Sequence, residues 1–360
     1  MIRGDAAASP PGDRTCRAAA TKLSNAGLGI LVSAGRYTGR MKASILIGIV
    51  AALLAALAWS LNFIVPFVIG DYSIFDIALF RFLISGLLAF AYLMFKWKSV
   101  RNLRLGDWLM SFALGLIGYL VYFQALAAAA VYAGPVIAPA FLALVPVVLA
   151  IAGNLRQPTI AWRHLAFPFS LATIGLLLVN WGSFDQATIG EAPSLLIGIP
   201  LAILAAACWI WFGLLNQSAL AKRPQMNAGV WTALIMTGAS LGMLAFVPVG
   251  LLLNVFASSR LGLGWNVAAA LYMWGTVLAL TASLGGAFAW TVASQRLPVA
   301  LSAQLITMET VFGTALGLLI RRRWPTLVEG VGMIVLLAGV VITIRIFHGC
   351  RSVALATELV

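Results

Sequence analysis

An uncharged run of 25 residues, Ser44 to Val68, constrains this chain more than any other stretch. A bilayer core about 30 Å thick is crossed by about 20 apolar residues in an α-helix, so the run predicts a membrane span. Trp59, Asn62 and Pro66 follow at i, i+3 and i+7, which predicts one shared helical face. An aromatic, an amide and a helix breaker on one stripe do not suit a surface meant for lipid. About 150 residues later the pattern returns: Leu201 to Ala219 carries Trp209, Phe212 and Asn216 at the same spacing. The chain reads as two copies of whatever begins near Ser44.

Composition agrees with that reading. Hydrophobic residues make up 62% and charged residues 9%, against about 25% charged in soluble domains. So apolar a chain cannot cover itself with polar surface, and it predicts a polytopic membrane protein. The net charge of +13 fits Lys and Arg gathered in cytoplasmic loops. No basic helix or aromatic platform outside the apolar runs points to nucleic acid. Cys16, Cys208 and Cys350 lie far apart, and His164 and His348 have no partner motif. No metal and no cofactor are expected.

Residues 1–41 are small, basic and broken by Pro and Gly, and are expected to be a disordered tail, with translation starting at Met41. Ten spans are expected after it, five in 42–185 and five in 194–347, then a tail over 348–360. With the N-terminus inside, the cytoplasmic side collects eighteen Lys and Arg and the other side four. Both termini are therefore expected in the cytoplasm, in a bacterial inner membrane. Arg321, Arg322 and Arg323 run against the count. Two copies with five spans each insert in opposite senses, so the duplication predicts an inverted repeat. Pro158-Thr159 and Pro325-Thr326 open the last span of each half and add to the match. Inverted repeats are a transporter device, with the site at the repeat interface near the midplane.

The LAALAWSLNF start, FDIALFRFLISGLLA in the second span, and ITMETVFGTALGLLI before PTLVEGVGMIVLLAGVVI resemble the EamA family of the drug/metabolite transporter superfamily. The likeness covers residues 42 to 347. AACWIWFGLLNQSALAKRPQMNAGVWTALIMTGAS is similar to the matching part of the YddG-type exporters, a subgroup associated with aromatic amino acids. The resemblance implies ten helices, both termini inside, and a cavity lined by the first, third, fourth, sixth, eighth and ninth spans. The family's second-span arginine falls on Arg81. Its Glu-Pro in the ninth span falls on Glu309-Thr310, so the glutamate is kept and the proline is lost. Pro146 matches the corresponding first-half proline. The first span lacks the glutamate by which small multidrug members couple to protons.

Few residues can carry chemistry. Arg81 is the one basic residue well inside a span, and a charge there costs about 2.5–3.5 kcal/mol on insertion scales. It either pairs with Asp76 or helix-end carbonyls, or it grips a substrate carboxylate. Glu309 is the one acid well inside a span, and it either couples to protons or accepts packing hydrogen bonds. Trp59, Tyr119, Tyr122, Trp209 and Trp290 are cavity candidates or interfacial anchors. Asn62, Phe212, Gln304 and Thr307 complete the expected cavity lining with Pro146. Pro139 and Pro146 are expected to break the fourth span, or to kink it. On an unbroken ninth helix, Glu309 points about 140° from Gln304 at about 100° per residue. The expected function is secondary transport, with export of a small amphipathic metabolite such as an amino acid. The partners are that substrate, the bilayer and a coupling proton; the oligomeric state is open. A membrane-embedded enzyme acting on a lipid-like substrate would need clustered Asp, His or Ser. A passive channel is the other alternative.

Overall fold

The computed structural model describes residues 31–133, 137–156, 162–185 and 195–358. Pro158, Thr159, Glu191 and residues 1–30 lie outside them. Among the described residues the chain is helical and without strands. Its helices are α1 (Leu31–Ser60), α2 (Ile74–Phe95), α3 (Leu105–Ala133), α4 (Ile137–Arg156), α5 (Trp162–Asp185), α6 (Leu195–Ala221), α7 (Ala228–Leu252), α8 (Trp265–Arg296), α9 (Val299–Ile320) and α10 (Leu327–Glu358). Nine described helices are long and apolar enough to cross a membrane, and α4 holds a shorter apolar part, Leu144–Arg156. α1 reaches back to Leu31 and α10 on to Glu358. The helices therefore enter both stretches expected as tails.

Local chemistry starts the helices. Ser73 caps α2: its hydroxyl accepts from the Asp76 amide, and the Asp76 carboxylate accepts from the Ser73 amide. The same carboxylate accepts from the Ala257 and Ser258 amides at 2.9 and 3.2 Å. It thus ties α2 to the loop before α8. Asn227 caps α7, accepting from the Val230 amide. Thr326 and Glu329 form the same reciprocal cap on α10.

The helices pair in a regular way. α1 packs on α8 and α9, α6 packs on α3 and α4, α2 on α7, and α5 on α10. Small residues permit close approach, as expected where lipid gives helices little hydrophobic reason to associate. A Cβ on Gly332 would lie 2.7 Å from the Val179 amide nitrogen, and one on Gly175 would lie 2.7 Å from that of Leu336. Large apolar side chains such as Leu87, Leu196 and Ile334 stay exposed on the outside, where a bilayer would cover them.

Three expectations about helix regularity are corrected. α4 is described from Ile137, which places Pro139 in the first described turn. α4 runs on through Pro146, so the helix is not broken there; the kink alternative is not contradicted. α1 tightens into a 3-10 turn over Leu61–Ile64, so Trp59, Asn62 and Pro66 do not keep a single α-helical stripe. α9 is interrupted at Thr307, between Val299–Ile306 and Met308–Ile320. Two helices also widen into π turns, Leu116–Val121 in α3 and Ala279–Gly286 in α8.

Arg323 and Arg321 are accounted for locally. Arg323 donates twice to Glu329, at 2.7 and 2.6 Å, and that pairing raises its pKa. Arg321 lies over the Phe67 ring, 4.9 Å from its centroid. One charge is neutralised and another is held against an aromatic face.

Candidate functional site

Six aromatics from α1, α3, α6 and α8 form one connected cluster. Trp209 stands at its centre, with ring centroids 5.0 Å from Trp59, 5.0 Å from Tyr122, 5.1 Å from Phe212 and 6.4 Å from Tyr119. Trp290 joins through Trp59 at 5.8 Å. Edge-on and tilted geometries dominate, as ring quadrupoles prefer.

The π turns position this cluster. π turns recur at functional sites because they widen a helix locally. In α8 the widened turn presents the Ala282 carbonyl, which accepts from Trp59 Nε1 at 2.9 Å. Gly286 leaves room for that indole, since a Cβ there would lie 2.7 Å from Trp59 Nε1. In α3 the widened turn carries Tyr119, and Gly118 admits Phe212, whose Cβ would lie 2.9 Å from an added Cβ.

Arg81 lies beside the cluster and is buried. Its Nε donates to Ser283 Oγ at 2.9 Å, and its Nη1 donates to Asn62 Oδ1 at 2.6 Å. Its guanidinium carbon sits 5.0 Å from the ring centres of Phe82 and Phe123. Asn62 is fixed in turn, since its amide donates to the Trp59 carbonyl at 2.8 Å. Pairing with Asp76 is ruled out, because that carboxylate is engaged by the α2 cap and the Ala257–Ser258 loop. No carboxylate reaches ion-pairing distance of Arg81 among the described residues. Glu309, Tyr119 and Tyr122 are titratable groups in its neighbourhood. Glu309 follows the α9 interruption and is half-buried.

Other predicted residues sit apart. Gln304 and Thr307 are fully buried at the α9 break, where the Thr307 hydroxyl donates to the Gln304 carbonyl at 2.7 Å. Pro146 is half-buried on α4. No ring contact or hydrogen bond joins these three to the aromatic cluster among the described residues. Trp290 Nε1 and Gln304 Nε2 are buried donors without an acceptor among the described residues. Sequence reasoning missed Ser283 and Phe123 as Arg81 neighbours. The Gly285-Gly286 pair beside Ser283 was the available signal of a distorted helix.

Known proteins resemble this chain. The model of the EamA-like transporter family matches residues 46–181. The inner membrane protein YtfF of Escherichia coli (strain K12) is 30% identical over 311 residues, covering 83% of this chain and 95% of that protein. The chain belongs to the EamA-like transporter family. A solved crystal structure of a protein, 17% identical, aligns with a TM-score of 0.66 over 85% of this chain and 98% of its own. That likeness concerns the fold. As an EamA-family member the chain is a multi-pass membrane transporter. The EamA-like match spans α1 to α5, whereas half of the aromatic cluster, Trp209, Phe212 and Trp290, comes from α6 and α8.

Proposed function

We propose that the chain is a secondary transporter that exports a small amphipathic metabolite, such as an amino acid with an apolar or aromatic side chain. The observation that carries this reading is the placing of Arg81, without a carboxylate partner, beside aromatics drawn from both halves. Guanidinium grips carboxylates, and aromatic faces hold apolar groups. The Trp290 and Gln304 donors are further candidates for substrate acceptors. The substrate set proposed remains Trp59, Asn62, Tyr119, Tyr122, Pro146, Trp209, Phe212, Trp290, Gln304 and Thr307, with Arg81 and Glu309 as separate charged residues for the substrate carboxylate or for coupling.

In this reading ten spans form two inverted repeats, 42–185 and 194–347, and alternating access rocks one against the other. Two features support it. The helix pairings are unchanged when each helix is replaced by the one five later: α1 with α8 becomes α6 with α3, and α2 with α7 and α5 with α10 return themselves. The π turns fall in the third helix of each half. Both termini lie in the cytoplasm, and the membrane is a bacterial inner membrane, as in the name of the relative YtfF. Glu309 cycles a coupling proton. The test is flux of radiolabelled L-phenylalanine and of its amide in proteoliposomes. The acid should exchange and the amide should not. Equal flux of both would remove Arg81 from recognition.

A further inference from the structure

A cleft lies where α6 ends and α8 turns into α9. It is half-open, has a volume of about 440 Å³ and is lined by Gln217, Arg223, Ser294, Arg296 and Pro298 among others, with no carboxylate in the lining. Arg223 is anchored, with Nε on Asp107 Oδ1 at 2.5 Å and Nη1 on the Ala219 carbonyl at 3.1 Å. Its Nη2 has no partner among the described residues. Arg296 touches one carbonyl of its own helix, Val292, through Nη1. The first turn of α9 begins after Pro298 without a side-chain cap, so its amides add positive potential at the same rim. At the wall of the cleft the Gln217 amide donates to the Leu297 carbonyl at 2.6 Å. The helices that frame it also carry Phe212, Trp290 and Glu309.

We propose that this cleft is a loading subsite for the carboxylate of the transported metabolite, filled before the central site; this rests on the transport reading above. Two guanidinium groups, one of them already paired with Asp107, and a helix N-terminus around a pocket lined by no carboxylate suit a single anion. Arg296 provides the free charge and Arg223 the fixed one.

The test uses the full-length chain with Cys16, Cys208 and Cys350 changed to Ser and Gln295→Cys as a reporter thiol at the exposed rim. Benzoate should slow labelling of that thiol by a charged maleimide. Arg296→Gln should raise the half-protecting benzoate concentration roughly tenfold or more, in line with a lost charge-assisted hydrogen bond. Among the described residues Arg296 makes no hydrogen bond to another helix, so the fold should survive Arg296→Gln. Absent protection, or equal protection with and without Arg296, overturns the proposal. Protection by inorganic phosphate and not by benzoate overturns it too, in favour of a phosphate or headgroup site. Benzoate protection without any L-phenylalanine flux in liposomes would reject the central transport reading and leave the carboxylate chemistry of the cleft standing.

Discussion

Trp59 and Trp209 meet edge to face, ring centroids 5.0 Å apart with 79° between their planes, although about 150 residues separate them in sequence. Trp59 is held by the Ala282 carbonyl, whereas Trp209 is half-buried and contacts three other rings. The two indoles therefore differ in role. Trp209→Ala should lower transport at least tenfold with little change in abundance. Trp59→Ala should do both, because a vacated buried Trp site costs about 3–5 kcal/mol. Flux per inserted molecule, read beside detergent melting, separates the two. Full activity in both variants would reduce the cluster to packing.

Asn62→Asp places a carboxylate where an amide now accepts from Arg81. The variant should form an ion pair, keep the fold and lose carboxylate transport, since the guanidinium is then satisfied from within. Asn62→Ala should instead weaken transport more mildly by loosening Arg81. The check is the rate of L-phenylalanine counterflow for both, normalised to protein. Wild-type flux in the Asp variant would show that Arg81 does not meet substrate.

Most of the fold was legible because span length and the scarcity of charge are properties of composition along the chain. Arg81 and Glu309 stood out for the same reason. What hydropathy does not encode is hydrogen-bond register. The π turns at Leu116–Val121 and Ala279–Gly286, the 3-10 turn at Leu61–Ile64 and the break at Thr307 all alter register without altering apolarity. Asn62 was thus read as part of a helical stripe, although the tightened turn directs it to Arg81. The Arg321–Arg323 anomaly had a readable signal: Thr326 and Glu329 stand three apart, the spacing of a helix cap, and the capping acid also pairs with Arg323.

The Arg323–Glu329 pair is bidentate, with Arg323 partly exposed. Removing one partner should cost on the order of 1 kcal/mol after allowing for solvent. Arg323→Gln and Glu329→Gln should each lower the midpoint of unfolding in detergent, and the double variant should cost less than their sum. Additive losses would mean that the pair contributes no coupling.

Gly332 admits the Val179 backbone, with 2.7 Å between an added Cβ and that amide nitrogen. Gly332→Val should separate α5 from α10 and destabilise the fold by about 1–3 kcal/mol or more. Gly330, two residues and about 200° away round the helix and open around its Cβ position, provides the control. Protease resistance in membranes should fall for Gly332→Val and hold for Gly330→Ala. Equal resistance would contradict the close packing of these helices.

Coupled movement of an amphipathic carboxylate is tested most directly by accumulation of radiolabelled L-phenylalanine in proteoliposomes under an imposed pH gradient, with wild type compared to Glu309→Gln. The wild type should accumulate it above equilibrium. The Gln variant should still exchange it but not accumulate it, because the amide keeps the shape of the side chain and cannot cycle a proton. Undiminished accumulation by the Gln variant, or no flux of the amino acid through the wild type, would contradict this account.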